Sequence, residues 1–249
     1  MWGPGELDTT LPMLTASRSA RLYNTSSSRS ALLGLLVRAV HARAEGACAA
    51  PPPGVTEYPL LRKEPAGNQS FVLRFALPPE EGSLGWRGVK AFLDAENEAG
   101  EPATLEKSYS PISLPTASGS FDLLVKAYPP RPGGGVGAFL CGLEPGEPAF
   151  FKLKKPREIK GATDLSQLGL RHLGLVGGGT GLAPLLQIAR ALLADKHDKT
   201  QIHMLVVNRY EDDILMRDEL DRLSVEHFIR FTLTCTPMAR GWDRELSTG

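Results

Sequence analysis

Cysteine is scarce in this chain: there are three in 249 residues, at positions 48, 141 and 235, and no C-x-x-C pair. That spacing offers no disulfide framework and points to a reducing compartment. Net charge is missing too. Lys plus Arg and Asp plus Glu balance at 28 each, so bulk charge gives no reason to expect nucleic-acid binding. The five histidines, at 41, 172, 197, 203 and 227, show no ligand spacing, and a metal site is not expected. No G-x-S-x-G element is present, which removes the usual sign of a serine hydrolase. Nor is there a membrane-spanning segment: the apolar run at 31–37 (ALLGLLV) is far too short to cross a bilayer.

Glycine is concentrated where it is informative. Residues 172–194 read HLGLVGGGTGLAPLLQIARALLA. An apolar run suited to a buried strand breaks into Gly177, Gly178, Gly179, Thr180 and Gly181, then resumes as a helix entered through Pro184. Leu182, Leu185, Leu186, Ala189, Leu192 and Leu193 recur at helical spacing and are expected to pack against a sheet. Strand, glycine turn and helix in that order collect backbone N–H groups and a positive dipole end at one point, which suits a pyrophosphate. The match to G-x-G-x-x-G is imperfect, because Pro184 stands at the last glycine. A plain tight turn is the alternative, although four glycines in five positions argue for close backbone approach.

The alternation continues with a strand at 202–207, a polar loop at 208–213, a helix at 214–223 and a strand at 228–235. That βαβαβ order implies a parallel sheet binding ligands at its carboxyl ends. The first half differs. Short strand candidates at 71–77, 89–94, 105–110, 121–128 and 149–153 are separated by Pro- and Gly-rich breaks, with no long helical pattern between them. A small antiparallel barrel is expected there. The fold class is thus β plus α/β: a barrel followed by a parallel nucleotide-binding domain, with the boundary near 156–168. The division read from the sequence is 1–54 leader and linker, 55–162 β-barrel domain and 163–249 nucleotide-type α/β domain.

Residues 106–113 (EKSYSPIS) resemble the R-x-Y-[ST]-x-x-S flavin signature of the ferredoxin–NADP reductase superfamily. With FDLLVKAY at 121–128, GGTGLAP in the glycine turn and NRYEDDILMRDEL at 208–220, the chain is similar to the NADH–cytochrome b5 reductase family from about residue 58 to 249. The resemblance implies FAD and NADH as cofactors, with NADPH left open, and electron transfer to a one-electron acceptor such as the haem protein cytochrome b5. It places Tyr109 against the flavin ring, Ser110 by the flavin N5 region and Ser113 near the phosphates. Lys126 and Tyr128 flank the ribityl and adenosine side. Thr180 faces the flavin, with Gly178, Gly179 and Gly181 leaving room for the nicotinamide. Ser110 and Thr180 are the residues closest to the chemistry. Lys107, Gly134, Gly135, Val136 and Pro184 complete the implied cofactor-binding set. Barrel packing alone is the other role open to Tyr109 and Tyr128.

The departures are as informative. Lys107 replaces the arginine that grips the flavin pyrophosphate, keeping charge but losing the planar fork. The second phosphate loop reads Gly134-Gly135-Val136-Gly137, without a hydroxyl at Gly137. Ala183 replaces a threonine, and Lys155 precedes Pro156 where glycine is usual. Met238 stands near the acidic position that favours NADH. The family's closing C-G-P-x-x-M segment does not follow Trp242-Asp243, so the nucleotide domain reads as C-terminally short. A catalytically impaired relative that at most binds flavin or a protein partner is therefore the alternative reading.

Residues 9–44 carry Arg18, Arg21, Arg29, Arg38 and Arg43, are rich in Ser and Thr, and contain no acidic residue. That is the profile of an organellar transit peptide, and a mitochondrial address is the expectation, with the cytoplasmic face of an internal membrane as the alternative. The basic run Lys152, Lys154, Lys155, Arg157 and Lys160 suits either an acidic partner or a solvated loop. A monomer is expected.

Overall fold

The computed structural model of the chain describes residues 52–96, 101–128, 135–157, 168–227 and 230–235. Its first part is a six-stranded antiparallel sheet. In chain order the strands are β1 (Thr56–Pro65), β2 (Ser70–Ala76), β3 (Arg87–Glu96), β4 (Pro102–Tyr109), β5 (Ser120–Lys126) and β6 (Pro148–Pro156). Helix α1 (Val136–Gly142) lies between β5 and β6. In space the order is β4-β3-β6-β1-β2-β5.

The aromatic core shows how this sheet curls. Period-two alternation buries Tyr58 and Leu60 of β1, Phe75 of β2, Phe121 of β5 and Phe151 of β6. Phe121 and Phe151 lie on strands separated by β1 and β2, yet their rings meet edge to face at 5.7 Å across the interior. Phe75 and Phe151 approach to 4.9 Å. Such pairs add about 0.5–1.5 kcal/mol each beyond burial. Phe151→Ala, which removes three of these contacts, is expected to cost about 3–5 kcal/mol by chemical denaturation; a loss below 1 kcal/mol would mean the ring is not a core element. Val136, Phe139, Leu140 and Cys141 of α1 are buried in the same core, so the helix plugs the barrel. The sheet's two edge strands approach closure through an isolated bridge between Pro111, just beyond β4, and Leu123 of β5. The segment 110–113 thus helps close the barrel.

The second part is a three-stranded parallel sheet of β7 (His172–Gly178), β8 (Gln201–Asn208) and β9 (Arg230–Cys235), in that order. Helix α2 (Leu182–Ala194) joins β7 to β8, and α3 (Arg217–His227) joins β8 to β9. Leu182, Leu186, Ala189 and Leu192 bury one stripe of α2, as helical spacing predicts, against Ile202, Met204 and Val206 of β8. The opposite face of β7 is open, with Val176 69% exposed.

The architecture is the expected β plus α/β pair, with three local differences. A strand at Thr56–Pro65 was not expected, because Pro59, Pro65 and the charged Arg62, Lys63 and Glu64 hide its alternation. The segment read only as a phosphate loop contains the α1 helix, seven residues and thus too short for a periodic signal. The helix expected at 214–223 starts at Arg217, because Met216 adopts a left-handed φ of 53° that breaks it from the preceding turn. The leader, Gly134, Lys160, Met238 and Trp242-Asp243 lie outside the described residues, as does most of the expected boundary at 156–168.

Candidate functional site

Lys107 and Tyr109 end β4 and, being two apart, share one face of the strand. The Lys107 ammonium lies 5.5 Å from the Tyr109 ring centre and 5.1 Å from that of Tyr128. Both distances fit cation–π contact. The Tyr109 hydroxyl is buried and makes no hydrogen bond among the described residues. Burial, with the neighbouring Cys141 and Tyr128 as lesser causes, holds this phenol above its ordinary range, so it is a donor at any physiological pH. Burial also pushes the Cys141 thiol up to about 12, which makes it a packing group rather than a nucleophile.

Gly137 completes the cradle. A Cβ there would sit 2.8 Å from the Lys126 carbonyl oxygen, 3.6 Å from the Tyr109 hydroxyl and 3.9 Å from the Lys107 ammonium. The missing side chain keeps a cation, a phenolic donor and a backbone carbonyl within reach of one another. Gly135 precedes α1 with extended backbone, and Val136 is buried at the helix start. An orphaned phenol beside a lysine, with a buried glycine in place of a side chain that would crowd them, fits the ring and phosphate chemistry of a flavin nucleotide. Lys107→Arg is expected to tighten FAD binding about 3–10-fold in a fluorescence titration, because the fork adds a second charge-assisted hydrogen bond. Weaker binding would place the phosphates away from residue 107.

The other expected residues lie on the loop that follows. The Ser110 hydroxyl accepts a hydrogen bond from Arg157 at 3.0 Å. Beside it a cleft of about 230 Å³ is lined by Trp86, Arg87, Pro156 and Arg157. The Ser113 hydroxyl accepts from the Asp122 N–H at 3.3 Å, and its carbonyl accepts from Gln187 of α2 at 3.4 Å. Asp122 is itself gripped by both arms of Arg74 at 2.7 and 2.8 Å. Among these partners Arg157 stood out in the sequence only as one of a basic run; Gln187, Asp122 and Arg74 left no signal there.

The glycine turn is built by close approach. A Cβ on Gly178 would lie 2.6 Å from the Val207 carbonyl oxygen, its partner position on β8, and one on Gly177 would lie 2.7 Å from Leu185. Gly179 has φ of 51° and turns the chain into the 3-10 segment Gly179–Gly181, where Thr180 stands partly buried. Pro184 falls in the first turn of α2, where no backbone donor is lost. This turn packs against both β5 and β8. Asn208, at the end of β8, buries a side-chain N–H group with no partner. A second orphan donor therefore lies at the carboxyl edge of the parallel sheet, where nucleotides bind.

The two halves meet over an apolar interface in which Ala66, Ile112 and Leu124 of the first pack with Leu182, Leu186, Ile214 and Leu215 of the second. Lys126 reaches across it to Asp213 at 3.3 Å, and Asn68 donates to the same carboxylate at 3.3 Å. The structure so brings Lys107, Tyr109, Tyr128 and Gly137 together and packs the Gly179–Gly181 turn against β5.

A barrel beside an α/β domain with a glycine turn is the arrangement of two-domain oxidoreductases that bind FAD and NAD. Residues 57–156 match the oxidoreductase FAD-binding domain and 175–247 the oxidoreductase NAD-binding domain. The chain thus carries an FAD-binding and an NAD-binding oxidoreductase domain, and the curated proteins it is similar to are NADH–cytochrome b5 reductases. It is 36% identical over 172 residues to NADH-cytochrome b5 reductase 1 of Emericella nidulans, covering 67% of this chain and 53% of that protein. It is 35% identical over 179 residues to the enzyme of the same name from Mycosarcoma maydis, covering 72% and 52%. The chain thus spans about half the length of the curated relatives it matches. In fold it is similar to the cytochrome b5 reductase domain of Ulva prolifera nitrate reductase, at TM-score 0.58 and 24% identity over 75% of this chain and 76% of that one. A ferredoxin NADP+ reductase from Neisseria gonorrhoeae solved with FAD and NADP shares the fold at TM-score 0.56 and 15% identity, covering 76% and 72%. Among the described residues no helix is long and apolar enough to cross a membrane, and no cluster of His, Cys, Asp and Glu could hold a metal.

Proposed function

We propose that this chain is an FAD-dependent reductase that takes electrons from NADH and hands them to a one-electron acceptor, a haem protein of the cytochrome b5 kind. The supporting observation is the packing of the Gly179–Gly181 turn against β5, the strand that ends in Lys126 beside the Lys107–Tyr109–Gly137 cradle. When bound, FAD supplies the two-electron to one-electron conversion that the polypeptide cannot. The chain's own residues bind and orient. Lys107 offers charge to the pyrophosphate, Tyr109 offers its buried hydroxyl and ring, and the glycine turn lets a nicotinamide approach without a side chain between. The apolar interface around Ile112 and Leu182 keeps water from the space between the domains. A second reading, flavin binding without turnover, draws on Lys107 in place of the forked arginine. Residues 9–44 support a mitochondrial address, which a fluorescent fusion of the first 54 residues tests by where it accumulates. The function is tested by steady-state reduction of cytochrome b5 with FAD and either NADH or NADPH. Turnover with NADH supports the reading; flavin retention without turnover supports the second.

A further inference from the structure

We propose that Arg190 is a positioning residue that fixes the nucleotide-binding glycine turn against the flavin loop; the inference rests on the function proposed above. Arg190 lies on α2, the helix that continues directly from Gly179–Gly181. Its guanidinium joins three elements. Nη1 donates to the Ile112 carbonyl at 2.5 Å, while Nε and Nη2 donate to the two carboxylate oxygens of Glu219 on α3 at 2.8 and 2.6 Å. The side chains are 23% and 16% exposed, so the pair is better shielded than a surface ion pair.

Each end of this strut is anchored. Three residues earlier on the same helix face, Gln187 holds the next carbonyl of the loop, that of Ser113, at 3.4 Å. The Ile112 N–H donates to the Asp122 carbonyl at 2.9 Å, and Arg74 grips the Asp122 carboxylate. On the far side, the Met216 N–H at the start of α3 donates to the Ala66 carbonyl at 2.9 Å. The apolar contacts between the domains are non-directional and permit sliding. Among the described residues the hydrogen bonds at 187 and 190 tie α2 to the loop, and α2 carries the turn. Loss of the fork therefore shifts Thr180 and its glycines relative to Ser110 without touching Lys107, Tyr109 or Gly137.

The test uses the full chain, with Arg190→Gln, Arg190→Lys and Glu219→Gln. In the FAD-loaded protein, Arg190→Gln is expected to slow anaerobic bleaching by saturating NADH about 30-fold, as a displacement of about 1 Å does at a reacting pair. FAD affinity stays within about threefold of wild type, because Lys107, Tyr109 and Gly137 are untouched, and the loss falls more on the saturated rate than on the NADH concentration for half-maximal rate. Arg190→Lys recovers only part of the rate, since it cannot bridge Ile112 and Glu219 together. Hydrogen exchange on the flavin-free chain gives the second readout: amides of 112–113 and 178–181 exchange roughly tenfold faster in Arg190→Gln while β2 and β5 stay protected. Wild-type bleaching rates, unchanged exchange, or a rate loss explained by lost FAD each overturn the proposal. A wild-type chain that binds FAD and does not bleach refutes the proposed activity instead, and the exchange comparison then decides the strut.

Discussion

Gly178→Ala is expected to abolish NADH-dependent bleaching while leaving FAD bound. The added methyl would sit 2.6 Å from the Val207 carbonyl oxygen, a backbone atom of the neighbouring strand, so β7 and β8 must part at the point where the turn begins. Overpacking of this kind costs about 1–3 kcal/mol in stability. Its effect on catalysis is larger, since the same shift moves the nucleotide-binding turn; a loss of at least about 100-fold in kcat/KM is expected. Gly174→Ala is the matched control. It lies on the same strand, its Cβ would meet nothing within 4 Å, and its stability and bleaching rate should match wild type. Equal behaviour of the two variants in stopped-flow absorbance would show that the close approach at Gly178 has no bearing on the nucleotide.

Gly137→Val is expected to remove flavin binding. Its Cβ would lie 2.8 Å from the Lys126 carbonyl oxygen, and the two further methyls would fill the space bounded by the Tyr109 hydroxyl and the Lys107 ammonium. The Lys126 carbonyl is a backbone atom and cannot swing clear as the end of the Lys107 side chain can. FAD affinity should fall at least about 100-fold, the scale set by losing two or three hydrogen bonds, one of them to a charged group. Tyr109→Phe, which removes only the orphaned hydroxyl, should weaken FAD about 5–10-fold. FAD titration by fluorescence quenching measures both. A Gly137→Val protein that holds FAD with wild-type affinity would place the flavin elsewhere on the barrel.

The glycine turn was legible in the sequence because its chemistry is local: only glycine leaves room for the 2.6 Å approach at Gly178, and glycine takes the left-handed φ at Gly179 without strain. Lys107 and Tyr109 were legible through a short motif on one strand face. The barrel strands that are apolar runs bounded by turn residues, such as Ser120–Lys126, were also readable. What escaped depends on distance along the chain. Arg190 meets Ile112 across 78 positions and Lys126 meets Asp213 across 87, and no spacing rule connects residues so far apart. The strand Thr56–Pro65 escaped because its buried Tyr58 and Leu60 are flanked by prolines and charges. Arg157 read only as one of a basic run suited to an acidic partner or a solvated loop, and its contact with the Ser110 hydroxyl across 47 positions left no signal.

The most direct measurement is the visible absorption spectrum of the purified 249-residue chain with FAD, before and after NADH is added without oxygen. A flavin spectrum that survives gel filtration and bleaches on NADH addition is the expected result. A protein that emerges colourless would contradict the cradle at Lys107, Tyr109 and Gly137, and with it the proposed function.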